Sequence, residues 1–203
     1  MKIGAGIDRI GSCAFANCKS LQTVEFEDDR SFTEIGWGAF INCIHLFNIS
    51  IPLDTKKIET IAFANCSSLR SVKIPGKARV EDQAFLSCTK LNVIEIASTA
   101  VLGRSVFATE VKEGGVVSHK FYSGEIRALP ANITMANCQE YGLAREAVAL
   151  VLKNKVSVSR EDVVTSYVDS VIPEGYQVRN DTYALIIGNQ HYRFVPDVPY
   201  AKP

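Results

Sequence analysis

Apolar and polar positions in the first half of the chain follow a long template rather than a plain helical or strand period. Between Ile10 and Phe26 the chain reads I-G-S-C-A-F-A-N-C-K-S-L-Q-T-V-E-F, and the spacing returns at Ile35 to Ile51, Ile58 to Ile74 and Val80 to Ile96. Aligned on the phenylalanine, each copy has an aliphatic residue at −5, Ala at −1, Cys at +3, Leu at +6, an aliphatic residue at +9 and an apolar one at +11. Phe15, Phe40, Phe63 and Phe85 are 25, 23 and 22 residues apart. A unit of that length supplies one short strand and a return segment but cannot bury its own apolar side, so the copies must stack. The template predicts strands over 21–26, 46–51, 69–74 and 91–96, with the four phenylalanines in one internal column.

Within a unit, the faces follow from alternation. Leu21, Val24 and Phe26, with Leu46, Ile49, Ile51, Leu69, Val72, Ile74, Leu91, Ile94 and Ile96, are expected to point inward. The alternating outward positions are Thr23 and Glu25, Asn48 and Ser50, Ser71 and Lys73, Val93 and Glu95. These eight form the candidate binding face, although the same pattern also suits a strand face that is merely solvated.

The form I-x-x-x-A-F-x-x-C-x-x-L-x-x-V-x-I-P resembles the BspA-type leucine-rich repeats of many bacterial surface proteins. The resemblance covers residues 1 to 116, and two copies end in the proline common to such units, Pro52 and Pro75. It implies a protein-binding scaffold and names no ligand. A cell-surface or secreted location follows if the parent protein keeps to the family, while the compartment of the chain itself stays unknown.

The array decays after the fourth copy. Leu102 and Phe107 keep the spacing of a fifth unit, but Glu110 and Glu113 stand at the Cys and Leu positions, where charge cannot be buried cheaply. Residues 97 to 116 are therefore expected to close the stack. A short strand is expected around Val116 to Ile126. Leu143, Ala147, Val148, Val151 and Leu152 then fall at helical spacing within 136–153, and Ser159 with Asp162 opens a second helical pattern through Val171. The fold class expected is α/β: a leucine-rich-repeat solenoid of about five short units over 1–116, a helical connector or small α-rich module over 117–180, and an orphan strand within 181–203.

That strand is Tyr183 to Asn189, Y-A-L-I-I-G-N, an apolar run ended by Gly-Asn. With the V-P-D-V-P-Y that follows, it resembles the opening of a caspase-like (metacaspase-type) peptidase domain. The family's catalytic His and Cys would lie downstream of Pro203, so the alternative to a binding module is the targeting or regulatory front of such a peptidase. An uncovered apolar strand is also a candidate for self-association.

Composition narrows the partners. Lys plus Arg and Asp plus Glu are 22 each in 203 residues, which points to neither nucleic acid nor an acidic membrane. No apolar run approaches a membrane span and the first residues lack a secretory h-region. Met1 to Ile10 enters a repeat without a polar cap, which suggests a piece of a longer protein or a covered first repeat. Cys18, Cys43, Cys66 and Cys88 share one repeat position. They read most simply as small thiols packed in line, though stacked spacing would tolerate a disulfide. Neither they nor Cys13 and Cys138 match a metal-ligand or nucleophile signature with His45, His119 or His191, so no cofactor, metal or catalytic residue is expected. Asn17, Asn42 and Asn65 are expected to bond the turn backbone as a ladder.

Overall fold

The computed structural model describes residues 1–27 and 31–156, together with the backbone pairing of Ile186–Ile187 and His191–Tyr192. It divides into a unit of Met1–Ser157 and a unit of Val158–Pro203. Along the first unit run β1 (Lys2–Ile3), β2 (Arg9–Ile10), β3 (Thr23–Phe26), β4 (Glu34–Ile35), β5 (Asn48–Ile49), β6 (Lys57–Ile58), β7 (Ser71–Ile74), β8 (Arg79–Val80), β9 (Val93–Ile96) and β10 (Val101–Leu102). There follow β11 (Thr109–Glu113), β12 (Val116–Lys120) and β13 (Glu125–Ala128).

The unit is a leucine-rich-repeat solenoid whose turns each contribute two strands, one more than the template predicts. The odd strands carry the L-x-x-V-x-I half and pair in parallel as β1-β3-β5 and β7-β9-β13. The even strands lie in the return segments, at the aliphatic −5 position, and form one parallel sheet β2-β4-β6-β8-β10. Two residues per even strand were too few to leave a pattern in the sequence.

The odd row is interrupted for a local reason. At +12 the Glu27 amide donates to the Ile3 carbonyl at 3.0 Å and the Ala97 amide to the Ile74 carbonyl at 3.1 Å. Pro52 and Pro75 occupy that position in the middle units and have no N–H to give. Accordingly β5 stops at Ile49, and among the described residues a single backbone hydrogen bond, Arg70 N–H to Phe47 carbonyl at 3.3 Å, joins its segment to that of β7.

The return segments are tied as tightly as the strands. Each passes through the left-handed region before its phenylalanine, at Cys13, Gly38, Ile61, Gln83 or Ser105, and the first four do so again after it, at Asn17, Asn42, Asn65 or Ser87. These turns aim amides at the next unit: Phe40 N–H donates to the Ala62 carbonyl at 2.7 Å and Asn42 N–H to the Ala64 carbonyl at 2.8 Å. The asparagine ladder exists, but its side chains bond one another rather than the turn backbone, Asn42 Nδ2 to Asn17 Oδ1 at 3.0 Å and Asn65 Nδ2 to Asn42 Oδ1 at 2.9 Å.

Inside, the repeat positions become columns. Phe15, Phe40, Phe63, Phe85 and Phe107 stack with centroids 5.0 to 5.6 Å apart and planes within 13° of parallel. Beside them, Cys43, Cys66 and Cys88 are buried free thiols that donate to the Phe15, Phe40 and Phe63 carbonyls at 3.0, 3.2 and 3.3 Å. Cys18, at the start of the column, is a free thiol too but is exposed.

The fifth unit keeps its charges out of the core by leaving the coil. After Ala108 the chain forms the antiparallel hairpin β11–β12, which turns at Gly114 and Gly115, both with positive φ. Glu110 stays half-buried and Glu113 exposed. The coil then resumes: Tyr122 sits 6.2 Å from Phe107 and β13 pairs in parallel with β9. The core thus runs across 116/117, and the single strand expected there is β12 plus β13.

The helix expected over 136–153 is two pieces. A 3-10 turn covers Cys138–Tyr141 and α1 covers Arg145–Val156. Gly142, at φ 81°, breaks them apart, and its carbonyl accepts the Tyr122 amide at 2.7 Å. Ala147, Val148 and Val151 of α1 are buried in the same core as Ile126, Leu129 and Ile133. The second helical pattern, Ser159 to Val171, lies outside the described residues. In the other unit, β14 (Ile186–Ile187) pairs antiparallel with β15 (His191–Tyr192), so the strand expected to be orphaned has a neighbour in its own chain.

Candidate binding face

The eight outward residues fall into two columns on the odd row. In register across hydrogen-bonded strands, Thr23 lies opposite Asn48, Ser71 opposite Val93, and Lys73 opposite Glu95. Asn48 and Ser71 hold the same repeat position but are not paired, because the row is interrupted between them. Glu25, Asn48, Ser50, Ser71 and Lys73 are exposed, whereas Thr23, Val93 and Glu95 are half-buried. Behind every strand the +9 residue, Val24, Ile49, Val72 or Ile94, is buried. The face is therefore a polar surface on a packed, rigid backing.

Its charges are partly matched. Lys73 Nζ lies 2.7 Å from Glu95 Oε1, and Arg127 Nε lies 2.8 Å from Glu125 Oε1 on β13. Both pairs are solvent-exposed, so each adds little to stability and serves mainly to fix side-chain direction.

Two residues of this region escaped the alternation. The +7 position, directly after the core leucine, is held by Gln22, Phe47, Arg70 and Asn92, all exposed. Phe47 keeps 38% of its surface in water, and the Arg70 Cζ stands 5.8 Å from its ring centroid. The signal was an aromatic residue at a position where the other copies are polar. Strand alternation starts one residue later and passes over it.

The even row carries a cluster in which one lysine meets two carboxylates. Lys57 Nζ lies 2.5 Å from Glu59 Oε1 and 3.5 Å from Glu81 Oε1. Hydrogen bonding to Lys57, with the Trp37 amide donating to Oε2 at 2.6 Å, holds the Glu59 carboxyl below the usual carboxylate range.

The remaining candidates are dispersed. Cys138 is buried, its Sγ 3.8 Å from the Met135 carbonyl; His45 Nδ1 is 2.6 Å from the Lys19 carbonyl; His119 is exposed on the hairpin. The side chain of His191 lies outside the described residues. Among the described residues, no group of three or more His, Cys, Asp and Glu could hold a metal ion, and no helix is long and apolar enough to cross a membrane.

Comparison with known proteins places this geometry. The family described as "BspA type Leucine rich repeat region" matches residues 1–112, in six copies. The chain is similar to a leucine-rich cell surface protein from Faecalibacterium prausnitzii, at 37% identity over 49% of this chain and 26% of that one, with a TM-score of 0.47. A leucine-rich repeat protein from T. pallidum matches at 25% identity over 52% of this chain and 53% of that one, TM-score 0.48. The pneumococcal vaccine antigen PcpA matches at 17% identity over 75% of this chain and 38% of that one, TM-score 0.50, which supports the fold alone. The chain thus spans between about a quarter and about half of the solved proteins it matches. No curated protein matches.

Proposed function

The chain belongs to the BspA-type leucine-rich-repeat family, and from that premise we propose that it is a non-catalytic protein-binding module working through its odd-strand face. What carries the reading is the pairing of exposed polar columns with fully packed ones behind them. A face whose units are tied to one another at two places in each turn, by strand pairing and by return-segment hydrogen bonds, loses little entropy when a partner docks. Thr23, Glu25, Asn48, Ser50, Ser71, Lys73, Val93 and Glu95 are the contact set proposed. A surface or secreted location accords with a family that occurs on many bacterial surface proteins.

The test compares faces. Asn48→Lys with Ser71→Glu alters the odd row, and Lys57→Glu with Arg79→Glu alters the even row. Binding to a panel of immobilised surface and extracellular proteins should be lost with the first pair and kept with the second. The opposite pattern would transfer the function to the even row.

A second reading rests on Tyr183 to Asn189: the chain is the targeting portion of a caspase-like cysteine peptidase. Its discriminating observation is genetic. An in-frame His and Cys encoded downstream of Pro203 supports it, and a stop codon removes it.

A further inference from the structure

We propose that Phe47 and Arg70 form the anchor of the odd-strand face, and that the anchor takes a carboxylate side chain from an acidic segment of a partner protein. The proposal rests on the reading of that face as the binding surface.

Charge is the first ground. In the +7 column the other members are Gln22, Phe47 and Asn92, and in the +8 column Thr23, Asn48, Ser71, Val93 and, in register with Val93, Glu125, which is matched by Arg127; Arg70 is thus the one cation of these two columns. The cations of the +10 column and of β13 are matched, Lys73 by Glu95 and Arg127 by Glu125. Among the described residues, Arg70 takes part in no ion pair.

Geometry is the second. The Phe47 ring backs the guanidinium at 5.8 Å, which restrains the side chain and leaves N–H groups along the edge of the plane free to donate. That edge matches the two oxygens of a carboxylate as a bidentate fork. A half-exposed aromatic beside an arginine is also the composition of interface hot spots. The backbone strengthens the placement: Arg70 N–H to the Phe47 carbonyl is the bond that joins the two halves of the odd row. The anchor therefore sits at mid-face. A nucleic acid fits less well, because a lone cation releases too few counterions to hold a phosphate backbone.

The experiment titrates the isotopically labelled full chain with a capped hexaglutamate peptide, with hexalysine and inorganic phosphate in parallel, and follows amide shifts. Hexaglutamate should move Phe47, Asn48, Arg70 and Ser71 first. Arg70→Gln and Phe47→Ala should each weaken it about tenfold, while Arg79→Gln, on the even strand β8, stays within about twofold. Circular dichroism confirms that the variants remain folded. Shifts centred elsewhere, an equal response to phosphate, no binding at millimolar peptide, or an unchanged affinity in Arg70→Gln each overturn the anchor. If panel binding is lost with Asn48→Lys and Ser71→Glu yet survives Arg70→Gln, the face stands and the anchor alone falls.

Discussion

Phe63 and Phe85 lie with ring centroids 5.0 Å apart and planes 4° from parallel, an offset stack made by residues 22 apart in the chain. Phe63 has Phe40 on its other side at 5.1 Å, so its ring is enclosed from both directions. Deleting that ring removes contacts to two units at once, and the backbone around it is too bonded to collapse. Phe63→Ala should cost about 3 to 5 kcal/mol in chemical unfolding, against within about 0.5 for Lys73→Ala on the exposed face. Comparable losses would mean that the inward and outward faces are exchanged.

The columns were legible because identical positions must meet identical neighbours in a stack. Phe at 0, Cys at +3 and Leu at +6 recur in register, and burial follows from recurrence alone. What was not legible has three physical causes. The even strands are two residues long, below the length at which alternation shows. The hairpin at 109–120 hid the resumption of the coil, because Tyr122 takes up the phenylalanine column only 15 residues after Phe107, well short of the 22–25 spacing. Gly142 split a helical pattern that periodicity read as continuous, since periodicity weighs side chains and not backbone dihedrals. Phe47 and Arg70 went unseen because they interact across units, 23 residues apart, at a position outside the strand pattern.

Thr55 occupies the turn position held by Ala78 and Ala100 in the next units. All three donate their amides three residues back, to Pro52, Pro75 and Ala97, at 3.0 to 3.1 Å. The Thr55 side chain is fully buried, and its hydroxyl oxygen has no hydrogen-bond partner. Thr55→Val keeps the shape and removes the desolvated hydroxyl, and should raise stability by about 1 kcal/mol. The urea midpoint should rise with an unchanged m-value. A lower midpoint would show that the hydroxyl is satisfied in solution.

Gly142 is the joint between the coil and its closing helix. A Cβ there would lie 2.4 Å from the Ala108 nitrogen and 2.9 Å from the Phe107 carbonyl carbon, in a residue at φ +81°. Gly114, at the hairpin tip, shares the positive φ but has nothing within 4 Å of its Cβ position. Gly114→Ala should cost about 1 kcal/mol, the left-handed penalty alone. Gly142→Ala adds a backbone clash and should cost more than about 2 kcal/mol. Equal costs would show that the segment after the 3-10 turn can draw away from Ala108 freely.

The thiol column gives the fold an alkaline limit. Burial pushes the Cys43 thiol up to about 11 and the Cys88 thiol up to about 12, from 9.0, and raises Cys66 in the same way. Below pH 9 these thiols are protonated whether the chain is folded or not, and their contribution to stability is constant. Above it the unfolded chain releases protons that the folded chain keeps, so the unfolded state binds fewer protons and stability must fall as pH rises. Each thiol contributes a slope of about 1.4 kcal/mol per pH unit, from about pH 9 until its folded value is passed. Cys43→Ala removes one such thiol. Under reducing conditions, unfolding midpoints at pH 8, 9.5 and 10.5 should show this variant starting lower but losing stability less steeply than the parent. Parallel declines would assign the alkaline loss to lysines and tyrosines instead of the cysteine column.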